Sequence, residues 1–327
     1  MSLVRKPPTF ITKLTSNAEE VWKGLNGVFA IYKPTGFTTF KTRQMLQYHL
    51  CTDLNELDVR EPEPFVRIEG ETNKSLTVKV EPSYADHKLV VGPRYQPQDM
   101  KLHHANYLSP EASGIQLWGV NRGSVICHLM RAANSTRFYK IKGVLGLESD
   151  NYFIGGKILE RSTFKHVKRH HVDMICSSMQ SSHQRKMFEI CGLDIQSQAA
   201  YELAVKGPIR PTDNKIPMLY SIKCIAFNPP DFTLEVVCIN EDDMFLKGLI
   251  HNLGLLVRSN ATCTQIQCYK YGIFTAELGL LKRDWSIENI MINLMKIRRL
   301  LTKNKYLYVG DEQEATLREY FNEQKAV

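Results

Sequence analysis

The sequence lacks three features that would each have indicated a particular class of protein. No apolar run approaches the roughly 18 residues that a membrane-spanning helix needs, and no internal repeat or low-complexity segment is visible. None of the eight cysteines belongs to a Cys-x-x-Cys pair, and most lie within apolar runs. A zinc site or a disulfide framework is therefore not expected. The cysteines are interpreted as buried free thiols of a reducing compartment.

Acidic residues are scarce relative to basic ones. The 327 residues include 42 lysines and arginines against 34 aspartates and glutamates, a formal net charge of +8, and the isoelectric point is near 9.0. A hydrophobic content of 43% with 23% charged residues is typical of a soluble globular protein. The positive charge favours a polyanionic partner, nucleic acid ahead of membrane. A solvated basic surface without a partner would have the same charge.

The N-terminal segment has no acidic residue before Glu19, but it contains Arg5, Lys6 and Lys13 among several hydroxyl residues. This composition resembles a mitochondrial presequence, and a disordered arm is the alternative interpretation. We predict that residues 1–24 form a flexible or targeting segment. The predicted location is the mitochondrial matrix, with a nuclear or cytoplasmic location as the alternative.

The spacing of apolar and turn residues predicts an α+β fold. Residues 25–280 are assigned to one domain with an insertion near 55–100, and residues 281–327 to a C-terminal helix and tail. The predicted helices span about 38–50, 124–133, 163–179, 196–206, 241–256 and 286–301, and the predicted strands span 27–33, 76–80, 115–120, 137–146, 218–227, 232–239 and 263–276. Particular residues mark these helices: Thr38 or Thr39 as the cap of the first, Val125 and Leu129 on the apolar face of the second, Gly207 and Pro208 at the end of the fourth, the acidic run 241–243 at the start of the fifth, and Ile287, Ile290, Leu294 and Ile297 as the inner stripe of the last.

A polar loop followed by an apolar strand occupies His103–Val120. Leu108-Ser109-Pro110 is typical of a short loop, because proline restricts its own backbone and the residue before it. Small residues follow at 112–114 and permit a close turn, and an apolar run then predicts a buried strand. Loops set against rigid strands often hold functional groups. An ordinary connection between loop and strand remains the alternative.

A second candidate region is the basic segment that contains Lys165, Lys168, Arg169, His170 and His171. On a predicted helix these side chains could bind phosphates, and a solvated helix face is an equal alternative. The adjacent histidines have no suitably spaced third ligand nearby, so a metal site is not expected.

Six short landmarks follow one another along the chain. They are Gly27 with Lys33-Pro34-Thr35-Gly36; His104 with Leu108-Ser109-Pro110 and Ala112-Ser113-Gly114; Tyr139 with Leu145-Gly146; Ala200-Tyr201-Glu202 with Ala204 and Gly207; Phe245-Leu246-Lys247 with Leu253-Gly254; and Gly272-Ile273-Phe274. Their order and separations resemble the TruB-type pseudouridine synthases, most closely the animal mitochondrial branch of that family.

The resemblance implies a mixed, mainly antiparallel sheet with flanking helices and a central RNA-binding cleft, into which a uridine is flipped. Members of the family detach the base from C1′, rotate it and rejoin it through C5, and they use the aspartate of a Leu-Asp-Pro segment. Ser109 stands at that position here, and Lys247 replaces the arginine that pairs with the aspartate. Tyr139 corresponds to a tyrosine that lies against the target base, where an aromatic ring can stack.

These two departures decide the functional hypotheses. A serine hydroxyl is neutral at pH 7 and becomes a nucleophile only beside an activating group. We therefore predict an RNA-binding pseudoenzyme in which uridine isomerisation is lost or impaired. One alternative is an active synthase that uses a displaced carboxylate from Asp99, Glu111 or Asp150. The other is a mitochondrial ribosome-assembly partner that binds mainly protein.

The predicted partner is uridine-containing mitochondrial RNA (messenger, ribosomal or transfer), together with RNA-processing or mitoribosome-assembly proteins. No cofactor, no metal and no additional RNA-binding domain are expected. The catalytic positions are Ser109, Tyr139 and Lys247, and the predicted RNA contacts are Lys33, His104, Arg137, Lys165, Lys168 and Arg169.

Overall fold

A computed structural model describes residues 15–58, 64–71, 73–83, 88–205 and 216–304. The helices are α1 (Ala18–Gly24), α2 (Thr39–Glu56), α3 (Lys88–Val91), α4 (Gly123–Ala132), α5 (Arg169–Ile190), α6 (Gln198–Val205), α7 (Asp243–Leu256) and α8 (Ile287–Lys303). The strands are β1 (Gly27–Lys33), β2 (Pro64–Glu69), β3 (Thr77–Pro82), β4 (Leu102–His104), β5 (Ala112–Val120), β6 (Arg137–Leu145), β7 (Leu147–Ser149), β8 (Ile158–Arg161), β9 (Met218–Asn228), β10 (Asp231–Ile239), β11 (Ala261–Tyr271) and β12 (Phe274–Thr275).

The main sheet has eight strands in the order β1-β5-β11-β6-β10-β9, with β4 paired to β5 and β12 paired to β11. The pairs of this sheet are antiparallel except β5 with β11, which run parallel. Two short hairpins, β2–β3 and β7–β8, lie outside it. The predicted α+β class with a mainly antiparallel sheet is therefore confirmed.

Strand β5 is buried at every position because it is covered on both faces. Ile115 and Leu117 belong to the larger core, which also takes side chains from α4, α5 and α7. Trp118 and Val120 belong to a second core with α2 and α8. Burial on both faces explains why this strand is a continuous apolar run rather than an alternating one, and it makes β5 a rigid base for the loop before it.

Gly114 allows β5 to approach β11 closely where the two strands run parallel. Its φ is +136°, a conformation that L side chains rarely adopt. A Cβ at this position would lie 2.0 Å from the carbonyl oxygen of Cys268. The small residue predicted to permit a close turn is thus required by the backbone of the neighbouring strand.

Several predicted features agree with the structure. Thr38 caps α2, and its hydroxyl accepts a hydrogen bond from the Lys41 amide at 3.1 Å. The predicted inner stripe of the last helix is buried in α8. The cysteines are free thiols, and all except Cys191 are buried. Within the described ranges, no helix is both long enough and apolar enough to cross a membrane.

Other predicted boundaries are wrong. Helix α2 continues to Glu56 rather than ending at residue 50, because Leu54 also packs into the second core. Helix α5 begins at Arg169 rather than 163 and ends at Ile190 rather than 179. Residues 18–24 form α1, which Asn17 caps, and the assignment of residues 1–24 to a flexible or targeting segment stays a prediction. In α4, Val125 of the predicted apolar face is 44% exposed, and the buried face is the neighbouring one.

The predicted division into segments stays a prediction. The part of the predicted insertion that is described consists of the exposed β2–β3 hairpin, the short α3 and the turns that lead into β4. Helix α8 packs against β1, so the described part of the C-terminal segment contacts the main sheet. Residues 1–14, the helix-ending Gly207 and Pro208, and the tail after 304 lie outside the described residues.

Candidate functional site

The loop that contains Ser109 is fixed from two sides. The amide group of Asn106 donates to the Ile115 carbonyl of β5 at 2.9 Å, and Asn106 is fully buried. From the turn after β1, the Gly36 amide donates to the Pro110 carbonyl at 2.8 Å. The loop therefore has a defined backbone position relative to the sheet, as an aligned reactive group requires.

Lys33 supports this loop from inside. Its side chain is fully buried, and Nζ donates to the carbonyls of Ser109 and Ala112, both at 2.7 Å, and to that of Pro34 at 3.4 Å. These acceptors occupy all three donors of an ammonium group. Burial lowers the pKa of Lys33 to about 8, with the negative charge of Asp243 acting in the opposite direction. Contrary to the predicted RNA contact, Lys33 holds the loop to the sheet.

Ser109 is 5% exposed and borders a small cavity between its loop and α7. Its Oγ accepts a hydrogen bond from the Ala112 amide at 3.2 Å, which closes the turn before β5. The cavity is lined by Leu108, Ser109, Ala112, Tyr139, Glu241, Asp242, Asp243, Leu246 and Ile266. The predicted catalytic residues Ser109 and Tyr139 thus share one cavity, and acidic residues form part of its wall.

Lys247 forms an ion pair with Glu111. Its Nζ lies 2.7 Å from Oε2 of Glu111, and the two side chains are 7% and 29% exposed. Glu111 is two positions after Ser109, so the chain retains a carboxylate–cation pair in this region although neither family partner is present. A lysine bonded in this way is not a free cation for an RNA phosphate.

Asp243 supplies a further carboxylate at the start of α7. It lies one helical turn before Lys247, on the same face of the helix. Burial raises the pKa of Asp243, whereas Lys247 and a hydrogen bond from Ser109 lower it and Glu111 raises it. A carboxyl group therefore lines the same cavity as the Ser109 hydroxyl.

Tyr139 is held by Glu241 on the opposite wall of the cavity. Its hydroxyl donates to Oε1 of Glu241 at 2.6 Å, and Arg137 forms an ion pair with the same oxygen. The side chains of Arg137 and Glu241 are 16% and 2% exposed. Burial raises the pKa of Tyr139 well above its usual value, and Glu241 raises it further. The hydroxyl of Tyr139 is therefore neutral at pH 7, and the guanidinium of Arg137 is bound to Glu241 inside the protein.

The cavity therefore combines a neutral hydroxyl, a fixed aromatic side chain and acidic groups. A carboxylate whose pKa is raised can act as a general base more effectively than a fully solvated one. A serine beside such a carboxylate can act as a hydrogen-bond donor or, if it is deprotonated, as a nucleophile. The group that the family uses directly, an aspartate on the loop itself, is not present.

His104 lies on the other side of the loop. Its ring centroid is 5.5 Å from that of Trp118 and 6.5 Å from that of Tyr107. Burial, followed by the positive charge of Arg131, lowers the pKa of His104 to about 4. This imidazole is neutral at pH 7, so it could contact RNA through a hydrogen bond or stacking but not as a cation.

The remaining predicted RNA contacts lie at the start of α5. Lys165 and Lys168 are exposed and precede the helix, and Arg169 is its first residue. Arg169 donates to the Cys224 carbonyl at 3.3 Å and lies 3.6 Å from Asp173. In the part of the chain that is described, no hydrogen bond or ion pair joins this segment to the Ser109 loop, and no cluster of three or more metal-binding side chains is found.

The three acidic residues that the sequence offered as replacements for the aspartate lie in different parts of the structure. Of the three, Glu111 borders the site through Lys247. Asp99 accepts from the Gln96 amide in a turn, and Asp150 accepts from the Lys157 amide near the β7–β8 hairpin. Sequence reasoning placed the acidic run 241–243 at a helix N-terminus and missed its part in the cavity. The four-residue spacing between Asp243 and Lys247 could have indicated this, because it places the two side chains on the same face of a helix.

Comparison with known proteins defines the class. Residues 94–242 match the family model described as TruB family pseudouridylate synthase (N terminal domain). Those residues include the Ser109 loop, Tyr139 and Glu241, whereas Lys33, Asp243 and Lys247 of the candidate site lie outside the matched region of this class of RNA-modifying enzyme.

Whole-chain similarity identifies the family. The mitochondrial pseudouridylate synthase TRUB2 of Mus musculus is 36% identical over 301 residues, which is 88% of this chain and 90% of the relative. The corresponding protein of Homo sapiens is 36% identical over 81% of this chain and 82% of its own length. The chain belongs to the TruB family, and these relatives confirm its resemblance to the animal mitochondrial branch.

More distant similarity extends beyond that branch. The pseudouridylate synthase TRUB1 of Mus musculus is 25% identical over 85% of this chain and 72% of the relative. Among solved structures, the archaeal box H/ACA sRNP Nop10-Cbf5 complex is similar with a TM-score of 0.45 and 13% identity. That similarity covers 83% of this chain and 60% of the solved one.

Proposed function

We propose that this protein is an RNA-binding TruB-family member that acts on mitochondrial RNA and whose uridine isomerisation is lost or impaired. The observation that carries the proposal is the pairing of Lys247 with Glu111 beside Ser109. Where the family couples an aspartate to an arginine, this chain has a neutral hydroxyl, and its remaining cation is bonded to a different residue.

The RNA-binding part of the proposal is supported by charge and by kinship. The net charge of +8 favours a polyanionic partner, and the similar proteins are named pseudouridylate synthases. The proposed mitochondrial location is supported by the names of the TRUB2 relatives and by the acid-poor start of the chain. Residence in the matrix is part of the same proposal.

Purified full-length protein incubated with transcripts of mitochondrial messenger, ribosomal and transfer RNA tests this function. We expect RNA binding in a filter assay and no pseudouridine above background by nucleoside mass spectrometry. Ser109→Ala serves as the matched variant and is expected to bind RNA as the wild type does. Turnover by the wild type that Ser109→Ala abolishes would overturn the proposed loss of activity.

One observation favours an active synthase as the second candidate. Asp243 lines the same cavity as Ser109 and has a raised pKa, so its carboxylate could replace the missing aspartate as a base. In that case the wild type would form pseudouridine, Asp243→Asn would abolish turnover, and Ser109→Asp would add little. Absence of turnover in both the wild type and Asp243→Asn excludes this candidate.

A crosslinking experiment distinguishes RNA binding from a role in protein assembly. Ultraviolet crosslinking in intact mitochondria, followed by denaturing purification, is expected to recover RNA. Recovery of mitoribosomal or assembly proteins without RNA would favour the alternative of a protein-binding assembly partner.

A further inference from the structure

Positive charges collect along the outer side of the Ser109 loop, where α2, β4 and α4 meet. We call Arg43, Lys101, His103, His128 and Arg131 the β4 rim. Arg43 is on α2, Lys101 and His103 are at and beside the start of β4, and His128 and Arg131 are on α4. All except the half-buried His103 are exposed.

Contacts between side chains and backbone show that these groups are neighbours. The rings of His103 and His128 are 5.0 Å apart between centroids, and the Arg131 guanidinium donates to the carbonyl of His104. The cations Arg43, Lys101 and Arg131 thus lie on α2, just before β4 and on α4, together with the imidazoles of His103 and His128.

The charged groups that shift the pKa of His103 are all basic. Burial lowers the pKa of His103, and the charged groups that lower it further are His128, Arg43, Arg131 and Lys101. In the described ranges, the ion pairs do not include a rim residue. Like charges that are not neutralised within the fold repel one another, so the arrangement is stabilised by a bound polyanion.

The rim is continuous with the mouth of the cavity. Thr39, one turn before Arg43 on α2, donates from its hydroxyl to the Leu108 carbonyl at 3.3 Å. Tyr107, which is 50% exposed, places its ring 6.5 Å from that of His104. An exposed aromatic ring between a positive surface and a cavity is the combination that single-stranded nucleic acid requires.

We infer that the β4 rim binds the backbone phosphates of the RNA strand next to the nucleotide at the Ser109 cavity, and that Tyr107 stacks a neighbouring base. The inference rests on the proposed RNA-binding function and adds the path of the strand to it. It assigns the phosphate contacts to α2, β4 and α4 rather than to Lys33 or Arg137, whose charged groups are occupied inside the fold.

The salt dependence of RNA binding tests this assignment. Each phosphate contact on a single strand contributes about 0.7 to the slope of log K against log salt. Arg43→Gln with Lys101→Gln is expected to reduce the magnitude of that slope by about 1.4 when both contacts are lost. Adding Arg131→Gln is expected to reduce it by about 0.7 more. Binding is measured by fluorescence anisotropy of a labelled, uridine-containing single strand.

The matched control removes two positive charges elsewhere. Arg67→Gln with Lys79→Gln acts on the β2–β3 hairpin, where both residues already pair with Glu69. This variant is expected to keep the wild-type slope. Within the described residues, the side chains of Arg43 and Lys101 make no hydrogen bond, whereas that of Arg131 does. The Arg43/Lys101 double variant is therefore expected to leave folding unchanged, and a melting curve verifies its stability.

Tyr107→Leu separates stacking from charge. We expect it to weaken binding about tenfold, within the range of one aromatic–base stack, without changing the salt slope. A wild-type slope in the Arg43/Lys101 variant would overturn the inference while leaving RNA binding intact. If the wild type itself binds no RNA at low salt, the proposed function fails together with the inference.

Discussion

Replacing Lys33 with methionine is expected to loosen the Ser109 loop while preserving the packing of the aliphatic stem. The change deletes two hydrogen bonds of 2.7 Å to the carbonyls of Ser109 and Ala112. Hydrogen bonds to a charged donor contribute about 1.5–3 kcal/mol each, so their loss amounts to about 3–6 kcal/mol.

Relief of the buried charge offsets part of that loss. Burial lowers the pKa of Lys33 from 10.5 to about 8, which corresponds to about 3.5 kcal/mol at roughly 1.4 kcal/mol per pKa unit. The middle of the 3–6 kcal/mol range exceeds this relief by about 1 kcal/mol, so the free energy of unfolding of Lys33→Met should fall by about 1 kcal/mol.

Urea denaturation at pH 7 measures this difference, and Lys142→Met is the control because Lys142 is an exposed lysine of β6. The control is expected to remain within about 0.5 kcal/mol of the wild type. RNA binding by Lys33→Met should weaken as well, since the loop beside the cavity loses its internal support. If Lys33→Met is as stable as the control, the two carbonyl contacts do not hold the loop and the reasoning is refuted.

Three further predictions concern pH and the charged groups of the cavity. The pKa of Lys33 is about 8 in the folded protein and 10.5 in the unfolded chain, so between pH 8 and 10.5 the unfolded chain binds more protons. The stability of the wild type relative to Lys33→Met should therefore rise from pH 8 to 10.5. A difference in urea midpoints that does not change with pH would contradict this. Lys247→Met should destabilise the fold by about 3 kcal/mol because it leaves the partly buried Glu111 carboxylate without its cation, and adding Glu111→Gln should recover part of the loss in the same assay. Ser109→Asp with Lys247→Arg should produce measurable pseudouridine by mass spectrometry, more than Ser109→Asp alone; equal, background-level signals would show that more than this pair has been lost.

The sequence predicted the elements well where local pattern and tertiary packing agree. Helix α8 and the hairpin of β9 and β10 have apolar spacing and turn residues that point to a single structure. The start of α5 was misplaced because residues before it are fixed by tertiary contacts: His166 is hydrogen-bonded to the Val257 carbonyl at 3.0 Å, and Val167 is buried. Such contacts override helical preference.

The sequence predicted the positions of the site residues in the chain but not their contacts in space. The resemblance located Ser109, Tyr139 and Lys247, but it could not show that Arg137 is bound to Glu241 or that Lys33 is fully buried. Charged side chains were assigned to RNA by residue type, and burial reverses that assignment. Glu241 and Tyr139 are far apart in sequence, and they meet because of the register of the sheet and the position at which α7 begins. No local sequence pattern shows this.

The positions of the carboxylates bear on how the departure at Ser109 is tolerated. An aspartate there would stand close to Asp243, and neighbouring carboxylates cannot both ionise easily in a partly buried site. With serine, the neutral hydroxyl instead lowers the pKa of Asp243, and Lys247 is paired with Glu111. The charges of Glu111, Lys247 and Asp243 are therefore arranged around a neutral residue at position 109. Reintroducing catalysis requires a change of that arrangement, which is why the arginine is expected to be needed together with the aspartate.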